Sequence, residues 1–272
     1  MNRKDRAEHI NSEHVNPEHI NSEYIKPWLY DDKPALVAHR GDALNYPENT
    51  LKALDAAVSA GAKYLEFDIQ FSRDAVPFLL HDPTFERTAG RAERAIDLDI
   101  EDILSISVGE SQRFGEQFVA EKPPRLSALC PWLNTLEDVH SFVEIKRHSI
   151  EHLGVTPVVN GVLDALSTLT APHTVISFRE DALFQVKAQS DVSVGWVIRH
   201  WNEASFETID ALKPDYVFVN FEKIPQGVLL PQVGATWVLY DIKTAPEIEH
   251  CYRLGADLIE TMAVAPMLAS MR

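Results

Sequence analysis

The segment between residues 35 and 82 decides the fold: ALVAHRG (35–41) opens it, YLEFD (64–68) lies in its middle and VPFLLHD (76–82) closes it. Each of these three apolar runs ends in ionisable side chains, whereas buried strands normally carry Val, Ile, Leu and Phe. We therefore expect these polar residues to gather where three strands leave a hydrophobic core. In chain order they are His39, Arg40, Glu66, Asp68, His81 and Asp82.

The spacing within this segment predicts how its strands meet. Glu66 and Asp68 are two residues apart, so on a strand both carboxylates point to the same face. The run from 76 to 80 follows too closely for a parallel crossover, which needs about a dozen residues and usually a helix. It should therefore fold back as an antiparallel arm. A turn over residues 73–76 would set position 68 opposite position 81 and bring His81 to the carboxylates.

Each fragment also has an ordinary structural explanation. His-Arg-Gly is a common solvated turn, Glu-x-Asp can be the exposed face of an edge strand, and His-Asp before Pro83 is a frequent turn composition. Their occurrence together, each at the end of an apolar run, favours a functional site.

The rest of the chain predicts a single large α/β domain over residues 35–272. Apolar helical spacing from Leu51 to Val58, with Pro47 at the helix start and Gly61 at its end, separates the first two strands. Counted without the arm, the expected parallel strands number eight, which is the number in a TIM (βα)₈ barrel with its active site at the carboxyl ends of the strands. The remaining strands are predicted at 140–146, 174–178, 193–198, 216–220, 236–242 and 258–261, with helices near 100–106, 125–133, 151–169, 180–189, 202–212 and 245–254.

Two segments do not fit the barrel pattern. Residues 1–34 are expected to form an N-terminal extension. It contains a five-residue repeat, as in EHINS and EHVNP, in which a histidine recurs as His9, His14 and His19. This period matches neither helix nor strand, so a loosely packed tail anchored by Trp28 to Tyr30 is favoured over a metal-binding one. Residues of about 83–124 are polar and irregular, and too many for an ordinary loop, so we expect either a functional segment or a small inserted subdomain.

Composition excludes several classes of partner. The net charge is −16, from 41 acidic and 25 basic residues, which disfavours binding to nucleic acid or to an anionic membrane surface. No signal peptide or transmembrane segment is visible, so no stable membrane insertion is expected.

The two cysteines indicate the cellular compartment. Cys130 and Cys251 are too few for a disulfide framework and indicate reduced thiols and a cytoplasmic location. The oligomeric state is not predicted.

Five motifs together resemble the glycerophosphodiester phosphodiesterase family. They occur in the family's order and at similar spacings, and the strongest lie between residues 39 and 146. They are His39-Arg40-Gly41, Pro47-Glu48-Asn49-Thr50, Glu66-x-Asp68, His81-Asp82 and Glu144-x-Lys146. The resemblance implies that the insertion covers the active site. It also implies a small-molecule glycerophosphodiester substrate and the products glycerol 3-phosphate and an alcohol, with attack by a glycerol hydroxyl to give a cyclic phosphate that water opens.

The residue types agree with this chemistry. Glu66, Asp68 and Glu144 offer three oxygen ligands, which suit Mg²⁺ or Ca²⁺ and can hold a cation that polarises a phosphoryl oxygen. His39 and His81 are expected to act as general acid and base, in an order that the sequence leaves open. Arg40 and Lys146 are expected to bind the phosphate.

Several assignments stay open at this stage. Lys146 could instead be a salt-bridge partner of Glu144, and Glu48 and Asn49 could simply start a helix. Near the C-terminus the chain has Tyr240-Asp241-Ile242-Lys243 and Thr261-Met262, where the family often has Trp-Thr-Val-Asn and Thr-Asp. These differences leave the alcohol moiety undetermined. The alternatives are a lysophospholipase D-type lipid phosphodiesterase, which would need an exposed apolar rim, and a non-catalytic phosphodiester-binding barrel.

Overall fold

The structure is a computed structural model that describes residues 34–271. The five-residue repeat and its expected anchor at Trp28 to Tyr30 lie outside these residues.

A closed barrel of eight parallel strands forms the domain, which confirms the predicted fold. In chain order the strands are β1 (Ala35–His39), β2 (Tyr64–Phe71), β3 (Pro77–Leu79), β4 (Thr84–Phe85), β5 (Arg91–Arg94), β6 (His140–Ile145), β7 (His173–Ser177), β8 (Ser193–Ile198), β9 (Tyr216–Asn220), β10 (Thr236–Tyr240) and β11 (Leu258–Thr261). The strand order around the barrel is β1–β2–β6–β7–β8–β9–β10–β11, and β11 pairs again with β1.

Most of the helices connect barrel strands, whereas three short ones, Glu86–Ala89, Ile100–Ser105 and Ser111–Phe114, lie in the segment inserted after the arm. In chain order the helices are α1 (Leu51–Ala60), α2 (Glu86–Ala89), α3 (Ile100–Ser105), α4 (Ser111–Phe114), α5 (Leu126–Leu133), α6 (Arg147–Leu153), α7 (Val155–Leu166), α8 (Glu180–Gln189), α9 (Glu203–Leu212), α10 (Ala245–Leu254) and α11 (Val264–Met271). Within the described residues, none of these helices is both long and apolar enough to cross a bilayer. Cys130 and Cys251 are buried and unpaired in this fold.

Two helix boundaries differ from the sequence prediction. The first helix begins at Leu51 and not near Pro47, because Asn49 has a left-handed φ of 55° and Thr50 caps the helix by accepting a hydrogen bond from the N–H of Ala53. The helix predicted over 151–169 is two helices, α6 and α7. Gly154, with a φ of 85°, separates them.

The barrel interior is filled by side chains and is not a channel. One residue from each of seven strands contributes to a buried inner cluster, with the rings of Phe142 and Phe218 5.1 Å apart in an edge-to-face contact. Gly195 on β8 makes room for this packing, because a Cβ there would lie 2.8 Å from Ile176. The cluster comprises Val37, Phe142, Ile176, Val197, Phe218, Val238 and Leu258.

The arm after β2 folds back antiparallel to it, but the predicted register is wrong by one residue. Ile69 pairs with Leu79, and the carbonyl of Asp68 accepts a hydrogen bond from Leu80 and not from His81. The turn spans five residues and not four, because the Ser72 hydroxyl bonds with the backbone of Val76 and Ala75 adopts a φ of 60°.

The inserted segment that follows the arm has its own small core. Phe78 and Leu80 of the arm pack with Phe85, Ile100 and Ile103 of the insertion, and the rings of Phe78 and Phe85 are stacked at 6.2 Å. The insertion is therefore packed onto the arm through apolar contacts, and the arm is bound to β2 by strand pairing.

A histidine at the amino end of the barrel should make stability depend on pH. Burial lowers the pKa of His140 from its ordinary 6.5 to about 4, and its Nε2 lies 2.8 Å from the hydroxyl of Thr174. Between pH 6.5 and about 4 the unfolded chain therefore binds the proton that the folded chain does not. The free energy of unfolding is therefore unaffected by His140 above pH 6.5. It falls as the pH drops through that interval, because protonation of His140 favours the unfolded chain.

We expect His140→Gln to reduce the pH dependence of stability, because the amide keeps a hydrogen-bonding group but does not titrate. One proton corresponds to a slope of at most about 1.4 kcal/mol per pH unit, and the partial exposure of the ring makes the effect smaller. Urea unfolding at several pH values between 7 and 4.5 measures the slope. His250→Gln, at an exposed position on α10, controls for losing a histidine. Equal slopes for wild type and His140→Gln would contradict the assignment.

Candidate active site

The charged residues singled out in the sequence lie at the carboxyl end of the barrel, on or just after β1, β2 and β6. His39 ends β1, Glu66 and Asp68 lie on β2, and Glu144 lies on β6 beside Asp68 in the strand register. These strands are neighbours around the barrel. Because parallel strands end on the same side, the topology brings residues distant in sequence to one opening.

The carboxylates of Glu66, Asp68 and Glu144 form a compact buried group. One oxygen from each lies within 4.8 Å of the others, and all three residues are buried. Burial, together with the charges of Asp68 and Glu260, raises the pKa of Glu66 well above its ordinary value. The Oε1 atom of Glu66 is buried without a hydrogen-bond partner within residues 34–271. The group thus contains more negative charge than its protein partners satisfy.

Two cations offset part of this charge. Lys146 donates hydrogen bonds to Asp68 Oδ1 at 2.9 Å and to Glu144 Oε1 at 2.7 Å. Arg40 lies with its Nε 3.1 Å from Asp68 Oδ2, at an angle that forms no hydrogen bond. Burial alone would raise the pKa of Asp68, but Lys146 and Arg40 outweigh it and hold that pKa well below its usual range. The salt bridge from Lys146 to Glu144 left open by the sequence is therefore present.

The backbone after β1 is shaped to position Arg40. Arg40 has a φ of 57°, and its backbone N–H donates to Glu66 Oε2 at 3.0 Å. Gly41 follows with a φ of 82°, and a Cβ there would lie 2.5 Å from the backbone of Ala53 in α1. Only glycine fits this close approach, which explains the His-Arg-Gly order of the motif.

Asn49 and Glu48 contact the site and do more than precede a helix. The Asn49 amide donates to Asp68 Oδ2 at 2.8 Å and accepts from the Asp68 N–H at 3.0 Å, so it fixes both the backbone and the carboxylate. Glu48 accepts a hydrogen bond from Arg40 at 3.0 Å. These contacts orient the carboxylate of Asp68 and the guanidinium of Arg40.

His39 faces an acid that the sequence reasoning missed. Its Nε2 lies 3.1 Å from Glu260 Oε1 on β11 and 3.9 Å from Glu66 Oε2. Burial and the neighbouring Arg40 lower the pKa of His39 well below its ordinary value, while burial and Glu144 raise the pKa of Glu260. The signal for Glu260 was a lone carboxylate in the apolar strand Leu258–Thr261.

His81 follows the arm that pairs with β2, and a chain of ion pairs orients it. Its Nδ1 lies 2.6 Å from Asp82 Oδ1, and its charge contributes to lowering the pKa of Asp68. Arg87 of the insertion donates to Asp82 Oδ2 at 2.7 Å and to both oxygens of Glu48 at 2.6 and 2.7 Å. Sequence reasoning also missed Arg87, which lies in the irregular segment. The insertion therefore links the partner of His81 to the partner of Arg40.

The donor set fits a hard divalent cation. Carboxylate oxygens are the ligands that Mg²⁺ and Ca²⁺ prefer, and the unpartnered Oε1 of Glu66 supplies a buried acceptor that such an ion would satisfy. Among residues 34–271, two sets of ligand atoms have the necessary spacing, namely Glu66 with Asp68 and Glu144, and Glu66 with His39 and Glu260. The first set contains only oxygen ligands and agrees better with a hard cation.

Comparisons with known proteins identify the family to which the sequence is similar. The sequence profile of the glycerophosphoryl diester phosphodiesterase family matches residues 39–238. A glycerophosphodiester phosphodiesterase of Caldanaerobacter subterraneus subsp. tengcongensis is 37% identical over 238 residues, which cover 84% of this chain and 94% of that protein. The Bos taurus glycerophosphodiester phosphodiesterase 1 is 28% identical over 66% of this chain, which spans 59% of that longer protein.

Solved structures share the fold. A phosphodiesterase from Oleispira antarctica, in complex with the product sn-glycerol-3-phosphate, matches with a TM-score of 0.78 at 21% identity. The match covers 89% of this chain and 98% of that one.

We expect Glu66→Gln to stabilise the metal-free protein and to abolish its response to divalent cations. The amide cannot ionise, so it relieves the repulsion among buried acids that raises the pKa of Glu66, and relieving a strained site commonly adds about 0.5–2 kcal/mol of stability. Thermal unfolding with and without Mg²⁺ or Ca²⁺ measures both effects.

A carboxylate on the surface provides the matched control. Glu137→Gln removes the same charge at an exposed position and should leave the cation-induced rise in melting temperature unchanged. A lower metal-free melting temperature for Glu66→Gln, with a full response to cations, would argue against a cation at this carboxylate.

Proposed function

We propose that this chain, which belongs to the glycerophosphoryl diester phosphodiesterase family, hydrolyses glycerophosphodiesters to glycerol 3-phosphate and an alcohol. The observation that carries the proposal is the convergence of Glu66, Asp68 and Glu144 with His39 and His81 at one end of the barrel. The structural relative with bound sn-glycerol-3-phosphate supports the identity of one product. The chain spans little more than half the length of the mammalian relatives. That this chain has the activity for which those relatives are named is therefore part of the proposal.

The cofactor we propose is one Mg²⁺ or Ca²⁺ ion held by Glu66, Asp68 and Glu144. When bound, it supplies Lewis-acid polarisation of a phosphoryl oxygen and charge neutralisation. Arg40 and Lys146 add positive charge in the same place, and this accumulation allows a protein with a net charge of −16 to attract an anionic diester.

His39 and His81 are proposed to exchange protons with the attacking and leaving oxygens. The carboxylate of Asp82 lies against Nδ1 of His81. This contact holds the proton on Nδ1, so that Nε2 can face the substrate. His39 is held neutral by burial and by Arg40, so it can accept a proton, and Glu260 can stabilise the imidazolium that then forms. Either histidine could act first, and their roles would reverse in the second step.

A second candidate activity is that of a lysophospholipase D. The side chains of Leu44 and Met262 are 48% and 38% exposed, and the N–H of Leu44 donates to the carbonyl of Met262. Both residues lie in loops that follow barrel strands at the catalytic end, where an acyl chain could rest. Turnover of lysophosphatidylcholine in preference to glycerophosphocholine would favour this candidate.

The cellular location we propose is the cytoplasm. The buried and unpaired thiols of Cys130 and Cys251 support a reducing compartment.

The experiment that tests the proposed function is an assay of the purified protein with glycerophosphocholine, in the presence of Mg²⁺ or Ca²⁺ and then with a chelator. We expect release of glycerol 3-phosphate and choline, lost with the chelator and restored by added cation. Binding of the diester without turnover in either state would instead support a non-catalytic binding barrel.

We expect His39→Ala and His81→Ala each to lower kcat by at least about 10²-fold, the lower range for loss of a general acid or base. The measurement is the steady-state rate of glycerol 3-phosphate release, together with a folding check by circular dichroism. His250→Ala, at an exposed position on α10, should retain full activity. Near-normal turnover of His39→Ala would remove this residue from the mechanism.

A further inference from the structure

A second group of ligand atoms lies beside the carboxylates proposed to hold Mg²⁺ or Ca²⁺. It consists of His39, Glu66 and Glu260, whose ligand atoms all lie within 4.8 Å of one another. The three residues come from β1, β2 and β11, and β1 pairs with both of the other strands. The register of β1 with β2 sets His39 opposite Glu66. Closure of the barrel between β11 and β1 therefore completes the group.

The distances within this group are close to those between ligands of one ion. Nε2 of His39 lies 3.1 Å from Oε1 of Glu260 and 3.9 Å from Oε2 of Glu66. In a tetrahedral zinc site with bonds of about 2.0–2.2 Å, neighbouring ligand atoms are about 3.3–3.6 Å apart. Small movements of these side chains would therefore bring all three ligand atoms onto one ion.

The group is buried, and the protein does not satisfy all of its acceptors. His39 is 8% exposed, Glu260 is 4% exposed and Glu66 is 1% exposed. Oε1 of Glu66 has no hydrogen-bond partner among residues 34–271. A buried acceptor without a donor is costly, and a bound cation would satisfy it.

The two cations of the site are directed away from this group. Lys146 lies 2.9 Å and Arg40 lies 3.1 Å from the carboxylate oxygens of Asp68. Glu260 forms an ion pair with His39 and, within the described part of the chain, with no lysine or arginine. A buried carboxylate that faces only an imidazole leaves room for the charge of a further cation.

The ligand types of the two groups favour different metals. The group of Glu66, Asp68 and Glu144 contains only oxygen ligands, which suit Mg²⁺ and Ca²⁺. The other group adds the imidazole of His39, which suits Zn²⁺. One imidazole and two carboxylates provide three protein ligands, which leaves the fourth tetrahedral position open.

We propose that His39, Glu66 and Glu260 form a second metal site, which binds Zn²⁺ and inhibits the enzyme while Mg²⁺ or Ca²⁺ stays at the first. The inference rests on the proposed phosphodiesterase function and adds a regulation of it. Zn²⁺ on Nε2 of His39 occupies the lone pair that would otherwise accept a proton, so this residue could no longer act as acid or base. Glu66 belongs to both groups and would be shared between the two ions.

The kinetic test measures hydrolysis of glycerophosphocholine at saturating Mg²⁺ with increasing ZnCl₂. We expect inhibition that further Mg²⁺ does not relieve. Glu260→Gln should raise the zinc concentration for half-inhibition by at least about tenfold, relative to the zinc-free rate of the same variant, since losing a partner at a metal site costs about 10–100-fold in affinity. Inhibition that added Mg²⁺ relieves in proportion would assign the zinc to Glu66, Asp68 and Glu144 and overturn the proposal.

Two variants control for zinc bound by other histidines. His152→Gln removes an exposed imidazole from α6. A triple variant with His9→Gln, His14→Gln and His19→Gln removes the histidines of the five-residue repeat. Both should be inhibited at the same zinc concentration as wild type. Loss of inhibition in either control, with unchanged inhibition of Glu260→Gln, would overturn the assignment.

Zinc binding is tested independently of activity by diffraction above and below the zinc absorption edge, from crystals of the full chain containing Mg²⁺ and Zn²⁺. We expect a zinc peak within about 2.2 Å of Nε2 of His39 and of an oxygen of Glu260. A peak there in a protein that hydrolyses no diester would support the site and overturn the proposed function. No peak between His39 and Glu260 in an active enzyme would overturn the second site and leave the phosphodiesterase function standing.

Discussion

Negative charge buried at the carboxyl end of the barrel is the constraint on which the rest of the structure depends. Glu66, Asp68, Glu144 and Glu260 are all buried around the same opening. Buried carboxylates repel each other and lose hydration, so they persist only where cations and hydrogen-bond donors compensate. Arg40 and Lys146 provide most of that compensation, and the Glu66 oxygen that has no partner among residues 34–271 indicates that it is incomplete.

The fold supplies the rigidity that this arrangement needs. Strand pairing sets Glu144 beside Asp68, and Asn49 fixes Asp68 from the loop after β1. The arm and the insertion act from the other side, since Arg87 joins Glu48 to Asp82 and so connects the environments of Arg40 and His81. A loss of packing between the insertion and the arm would therefore disturb the surroundings of both Arg40 and His81.

Much of this architecture follows from local patterns in the sequence. Strands such as Ser193–Ile198 and Leu258–Thr261 occur where the apolar runs predict them, because each run is short and bounded by polar residues. The errors in helix and turn boundaries have local causes that periodicity does not encode. The left-handed φ of Asn49 delays the first helix, and that of Ala75 lengthens the arm turn. Glu260 and Arg87 were missed because their partners are distant in sequence, and only the closed barrel and the folded insertion bring them together.

The measurement that tests the central claim most directly is anomalous diffraction from crystals containing Mn²⁺, a hard cation that scatters strongly. The account predicts one peak at the carboxyl end of the barrel, within about 2.6 Å of oxygens from Glu66, Asp68 and Glu144. No peak at this opening, or a peak bound only by His39 and Glu260, would contradict it.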